Sequence, residues 1–378
     1  MENGSSGQGV GDQRRGQASG QASGQASGQA SGQASGQASG QAHESNLVQG
    51  QAHESTLVQG QAHESNLVQP KEFPENKALS TIQPGLQIIW DATSLSALKE
   101  CPRKYYLGIL CGYQPKTNAV ALNFGILFHA ALEGFYKRAF TGCSYEENLR
   151  ETLRGIALDP LRAELQEAND PVRGVETLVR VLVEYLDFYQ DEPAETVVFP
   201  GGDIGAELHF QYETGLMAST GESFAMAGNL DRVVKMPTGL FIMDHKTTSM
   251  ALSQFYFQQY DLDTQMTNYA IAADVVFGAP VRGVIIDGVK IKGQPEFSRY
   301  MTMRSKEACD EWLGELQHWF RLAEYFAQVD CWPANDKSCN KFSGCPFREV
   351  CKAPKNLRKR VLEEQFKQRT WDPSQEKS

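Results

Sequence analysis

Apolar and polar residues follow two periods along this chain, and the two periods occupy different stretches. The repeat expected of helices runs through Ser94–Leu107, Ile126–Phe140, Tyr145–Gln166, Val175–Gln190, Thr264–Phe277 and Ser305–Gln328. Runs rich in strand formers lie near Glu207–Tyr212, Phe224–Lys235, Leu240–His245 and Val281–Lys292. Met236-Pro237-Thr238-Gly239 separates the second and third of these and reads as a hairpin turn. The helix at 264–277 falls between two strands, which favours a sheet with a crossover and hence an α/β fold. The helices ahead of Glu207 read as a helical insertion beside that sheet.

Periodicity is missing from residues 1–69. There Gln-Ala-Ser-Gly recurs, followed by three copies of Gln-Ala-His-Glu-Ser-(Asn/Thr)-Leu-Val-Gln-(Gly/Pro), with Ser45, Ser55 and Ser65 in register. Such a segment has too little apolar surface to offset its ordering entropy and is expected to be disordered. Its Leu-Val pairs at 47–48, 57–58 and 67–68 offer three weak anchors for a protein partner. The rest divides into a core of residues 70–354, large enough for one substantial domain, and a basic tail of residues 355–378. No run approaches the ~20 apolar residues of a membrane span. With no apolar leader visible either, the expected setting is the cytoplasm.

The chemistry concentrates around the predicted hairpin. Gly228-Asn229-Leu230-Asp231-Arg232 enters it, and Leu240-Phe241-Ile242-Met243-Asp244-His245-Lys246 leaves it. Asp231 and Asp244 can therefore converge as two oxygen anchors for a hard divalent cation such as magnesium. Lys246 stands two residues beyond Asp244, so the strand period sends both to one face. Two carboxylates, a metal and a lysine can perform phosphodiester chemistry: the ion polarises the phosphate and activates water, and the lysine offsets charge. An Asp-x-Lys triplet on a solvated strand is the plain alternative, and context decides between them.

That context is Gly125-Ile126-Leu127-Phe128-His129-Ala130 upstream and Gln265-Met266-Thr267-Asn268-Tyr269 downstream. In this order the set resembles the PD-(D/E)XK nuclease superfamily over residues 88–354. Within it, the chain resembles the RecB-like branch that includes CRISPR-associated iron–sulfur exonucleases. The resemblance implies a restriction-endonuclease-like core with a mixed sheet. It implies His129 as an extra metal ligand on a helix, Asp231 and Asp244 as the acidic ligands, and the His245 backbone carbonyl as a further candidate. Lys246 resembles the catalytic lysine, and Gln265 with Tyr269 the pair that positions substrate; a spacing of four puts these two on one helix face. Leu230 departs from the proline of the superfamily name, and Asp244 from the commoner glutamate. The implied ion is Mg2+ or Mn2+.

Eight cysteines form a second constellation: Cys101, Cys111, Cys143, Cys309, Cys331, Cys339, Cys345 and Cys351. In a cytoplasmic setting metal ligation explains them better than disulfides. The resembled branch holds a [4Fe–4S] cluster by one cysteine before the nuclease core and three after it. Cys101 with Cys339, Cys345 and Cys351 matches that layout. Four thiolates also suit zinc, so residue chemistry leaves the metal open. Either would act as a clasp joining the N- and C-terminal parts of the fold. Cys111, Cys143 and Cys309 read as inert core thiols, and Cys331 as a substitute ligand.

Net charge is −10, which alone argues against a nucleic-acid partner. Its distribution reverses that argument, because Lys337–Arg369 holds ten Lys or Arg against three acidic residues. With Arg103, Lys104, Tyr105 and Tyr106 brought near by the clasp, this stripe suits single-stranded DNA, where cations follow phosphates and bases stack. The resulting expectation is a metal-dependent DNA exonuclease acting on single strands or ends, in recombination, repair, or phage or CRISPR DNA processing. The alternative is a catalytically decayed DNA-binding or adaptor protein with a structural iron–sulfur or zinc clasp.

Overall fold

The computed structural model describes residues 86–116, 119–278, 281–341 and 344–374. The repeats of 1–69, and the partner-binding expected of them, lie outside the described residues. In chain order, β1 (Ile89–Asp91) leads into α1 (Ala92–Glu100), α2 (Pro102–Tyr105) and β2 (Tyr113–Pro115). Four helices follow: α3 (Val120–Arg138), α4 (Tyr145–Leu158), α5 (Leu161–Glu167) and α6 (Val175–Phe188). Next come β3 (Glu195–Thr196), β4 (Ala206–Met217), β5 (Ser223–Met236) and β6 (Gly239–Thr248). Helices α7 (Gln254–Gln258) and α8 (Thr264–Phe277) cross to β7 (Val284–Lys290), which β8 (Glu296–Thr302) and α9 (Lys306–Gln328) follow. The chain finishes with α10 (Arg348–Lys352), α11 (Arg358–Gln365) and β9 (Phe366–Gln368).

Seven strands form one mixed sheet, ordered β1-β5-β6-β7-β8, with β3 and β4 on the other side of β5. The β5–β6 hairpin turns at Gly239, whose φ of 135° only glycine adopts without strain. After β6 the chain crosses through α7 and α8 and returns as β7, parallel to β6. Apolar side chains leave both faces of the sheet. On one, Trp90, Leu98, Phe210, Met266, Tyr269 and Phe320 pack among α1, α8 and α9. On the other, Phe124, Phe128, Leu178, Leu182 and Tyr185 of α3 and α6 meet Ala206 and Val289. The helical insertion is thus a full layer of the domain.

Three predicted elements differ, each for a local reason. The single helix expected over 94–107 breaks at Cys101, and that expected over 145–166 breaks at Asp159. Both residues precede a proline, which pushes them to extended backbone, at ψ 110° and 131°. The strand expected over 281–292 covers only Val284–Lys290; beyond a turn at Gly293, the amphipathic Glu296–Thr302 returns antiparallel to it. The basic tail expected over 355–378 is in part built into the fold. Leu362 and Phe366 are buried, and β9 pairs antiparallel with β2.

Candidate active site

Strands β5 and β6 separate where the acidic residues lie. Their pairing runs from Met236↔Gly239 to Arg232↔Met243. One step further along each strand are Asp231 and Asp244. Beyond the fork β6 continues against β7, and the His245 N–H, with no β5 carbonyl to meet, donates to Asp231 Oδ2 at 2.8 Å. Both carboxylates are buried, Asp244 completely. Buried carboxylates are costly unless partners offset them, so a fork that places two together needs positive charge beside it.

Helix α3 brings His129 over this fork. Its Nδ1 is 3.3 Å from Asp231 Oδ2 and 3.4 Å from Glu207 Oε1. Ligand atoms of His129, Glu207 and Asp231 all lie within 4.8 Å of one another, the one such trio of metal-ligating residues among the described residues. Nothing in the sequence marks Glu207: in Ala206-Glu207-Leu208-His209-Phe210 it looks like any polar residue of a strand. The structure sets it apart, because its φ is 47°, a left-handed backbone at the start of β4. For a residue with a side chain that conformation costs about 1–2 kcal/mol and tends to occur where function requires it.

Lys246 faces the opposite helix. Its Nζ is 2.7 Å from Asp244 Oδ2 and donates to Gln265 Oε1 at 3.0 Å, while Gln265 Nε2 donates to the Tyr269 hydroxyl at 2.9 Å. Gln265 sits in the first turn of α8, where Asp263 caps the helix by accepting from the N–H groups of Gln265 and Met266. Tyr269 is one turn on and buried. The fork, α3 and α8 thus bring together His129, Asp231, Asp244, Lys246, Gln265 and Tyr269. His245 is present through its N–H, and its ring lies on the α3 side of the sheet against Tyr136.

The charges explain one another. Burial pushes the Asp244 carboxyl up, and despite the adjacent Lys246 ammonium it reaches about 6. Burial would also raise Asp231, but His129, His245 and Lys246 outweigh it and hold that carboxyl well below the usual range. Burial alone would lower His129, yet the carboxylates of Asp231 and Glu207 raise it to about 10. Lys246 follows the same pattern: desolvation opposes its charge, and Asp244 with Asp231 raises it. His129 and Lys246 offset only part of the acidic cluster's charge.

The cysteine module lies at the other end of α1. Cys101 Sγ accepts the Asn335 N–H at 3.3 Å, while the Asn335 amide and the Ser338 hydroxyl both donate to the Glu100 carbonyl, at 2.8 and 2.7 Å. Cys345 donates its N–H to the Cys339 carbonyl at 3.0 Å. Burial pushes the Cys345 thiol up, and Cys101 and Cys351 are close enough to add to that rise. Among the described residues no three of these sulfurs lie within 4.8 Å of one another. Cys331 is exposed, Cys111 is buried beside Tyr106, and Cys143 Sγ donates to the Arg138 carbonyl.

Arg358 of the basic stripe faces inward, donating to the carbonyls of Cys351 and Ala353. Lys359 and Arg360 stay exposed, paired along α11 with Glu363 and Glu364.

A split sheet, an acidic pair at the split and a lysine two residues beyond define a class. The PD-(D/E)XK nuclease superfamily matches residues 90–352, and the chain belongs to it. Among solved structures it is similar to a Eubacterium rectale protein named only as a candidate exonuclease. Identity is 12%, 72% of this chain and 91% of that one are covered, and the TM-score is 0.42. It is also similar to SSO0001, at 14% identity over 61% of this chain and 95% of that one, with a TM-score of 0.28. No curated protein matches the chain. No helix among the described residues is long and apolar enough to cross a membrane.

Proposed function

We propose that this protein is a metal-dependent DNA exonuclease of the RecB-like type, acting on single strands or strand ends, with a [4Fe–4S] cluster as its clasp. The observation that carries the reading is the convergence at the β5–β6 fork. His129, Glu207 and Asp231 gather on one side, and Asp244, Lys246, Gln265 and Tyr269 on the other.

The donor set fits Mg2+ or Mn2+. It offers carboxylate oxygens and one imidazole, and Asp244 Oδ1 is buried with no hydrogen-bond partner. Asp231, Asp244, His129 and Glu207 would hold the ion, with the His245 carbonyl as a further donor. Once bound, a divalent ion supplies Lewis-acid polarisation of the phosphate and a water of lowered pKa. The chain's own groups do the rest. Lys246 would orient the attacking water and offset charge developing on the phosphate. Gln265 fixes the ammonium, and Tyr269 fixes Gln265. A complete donor set with its lysine in place speaks against a decayed site.

Cys101, Cys339, Cys345 and Cys351 would hold the cluster. A tetrahedral zinc ion, with Zn–S of about 2.3 Å, draws its sulfurs to about 3.8 Å apart. A [4Fe–4S] cluster takes the same four thiolate ligands, so metal analysis decides between the two groups. Either group would join Cys101 to a segment more than two hundred residues later, a long loop whose closure restricts the unfolded chain.

The test is degradation of end-labelled single-stranded, duplex and circular DNA, with Mg2+, with Mn2+ and with chelator. Linear single strands should be shortened from an end only when metal is present, and circles should be spared. Cleavage of circles as fast as linear strands would replace the exonuclease with an endonuclease. Absence of metal-dependent cleavage on every substrate would reject the enzyme.

A further inference from the structure

Behind the fork, on the α3 and α6 side of the sheet, lies a second buried polar group that the catalytic reading leaves unused. Its centre is His245, between the two residues of β6 that face α8. The ring is 1% exposed, stacks on Tyr136 and meets Tyr185 edge-on. In the parallel pairing of β6 with β7, His245 stands opposite Asp287, which is fully buried. Asp287 Oδ2 accepts from the Tyr185 hydroxyl at 2.7 Å and from Arg299 Nε at 3.1 Å. Arg299 continues to Glu192, and Glu192 to Arg232, the residue after Asp231.

The imidazole itself lies between two carboxylates. Nδ1 is 3.7 Å from Asp231 Oδ2, and Nε2 is 4.0 Å from Asp287 Oδ2. Neither His245 Nε2 nor Asp287 Oδ1 has a hydrogen-bond partner, although both are buried. Apolar residues would be cheaper in that position, because buried charge contributes little to stability and unpaired polar atoms subtract from it. Native proteins keep such groups where they orient something else. Here the neighbour is Asp231, whose Oδ2 receives the backbone N–H and faces the ring of this same residue.

We propose that His245 is a positioning residue: its imidazole, packed against Tyr136 and Tyr185, keeps the Asp231 carboxylate turned toward His129 and Glu207. The assignment rests on reading the fork as a metal site. It acts through Asp231 and needs no contact between His245 and substrate.

Three variants test it on the full chain: His245→Phe, His245→Asn and His245→Gln. Phenylalanine keeps the stacking on Tyr136 and removes both nitrogens. Asparagine places an amide where Nδ1 stood; glutamine reaches toward the place of Nε2. Mn2+ affinity, read by electron paramagnetic resonance on chelator-treated protein without DNA, should fall about 10-fold or more in His245→Phe. His245→Asn should recover most of it, and His245→Gln should not. Thermal stability without metal should not fall in His245→Phe, since an unpaired buried nitrogen is removed. Wild-type Mn2+ affinity in His245→Phe would overturn the assignment. If that variant does not fold, equal affinity in the asparagine and glutamine variants would overturn it. A wild-type protein that binds Mn2+ yet cuts no DNA would reject the nuclease reading and leave this one standing.

Discussion

Replacing Asp244 with asparagine should make the metal-free protein more stable while destroying its activity. The size of the gain follows from the environment of the carboxyl. It is fully buried, its one charged neighbour within ion-pair distance is Lys246, and burial lifts it from an ordinary 3.8 to about 6. At about 1.4 kcal/mol per pH unit, keeping the carboxylate ionised in the folded state costs roughly 3 kcal/mol. The sign follows from where the proton resides. Below pH 3.8 both folded and unfolded chains hold it, and the group contributes nothing. Between 3.8 and about 6 only the folded chain holds it, so stability falls as pH rises through this window; above about 6 the full cost is present. Asparagine has the same shape and no charge, so Asp244→Asn should remove that pH dependence and gain roughly 5 °C in Tm at pH 7.5, with much less at pH 4. The measurement is thermal denaturation of wild type and variant in chelator across this range, taken as a difference so that other carboxyls cancel. Adding Mn2+ should stabilise wild type and leave the variant unmoved. A variant no more stable than wild type at pH 7.5, or a difference independent of pH, would refute the account of Asp244 as a buried charge awaiting a cation.

Lys246→Ala should reduce DNA cleavage by at least about 100-fold while Mn2+ affinity stays within a few-fold of wild type; a loss of affinity as large as that of Asp244→Asn would make the lysine part of the ion's binding site. Anaerobically purified protein should be brown with about four irons per chain, and Cys101→Ala or Cys345→Ala should bleach it and lower its stability. Stoichiometric zinc without iron would substitute a zinc clasp. Neutralising Lys359 and Arg360 together should flatten the salt dependence of single-stranded DNA binding without changing turnover at saturating DNA, and an unchanged slope would remove α11 from the DNA path.

The centre of the fold was legible because short-range patterns write it. The strand-forming runs around Met236–Gly239 give the hairpin, the two acidic residues flank it, and a spacing of four places Gln265 and Tyr269 on one face of α8. What escaped depends on distant partners. Glu207 looks ordinary within β4, since its left-handed backbone and its nearness to His129 arise only when α3 folds over the sheet. The edge strand β8 was missed because Glu296–Thr302 is too polar to stand out from its loop. Charge alone could not separate Arg358, which holds the carbonyls beside Cys351, from its exposed neighbours Lys359 and Arg360. The network from Asp287 to Glu192 was invisible for the same reason, its members coming from β7, α6, β8 and the loop ahead of β3.

The backbone at Glu207 has an evolutionary consequence. Glycine adopts a φ of 47° freely, and a single base change converts either glutamate codon to a glycine codon. A chain under selection for stability alone would gain from that step. If its carboxylate serves the proposed metal site, a lineage released from cutting DNA would be expected to lose this glutamate, as it would the buried charge of Asp244, ahead of Asp231 and the cysteines. The residue found at position 207 would thus mark whether a descendant of this protein still uses the proposed metal site.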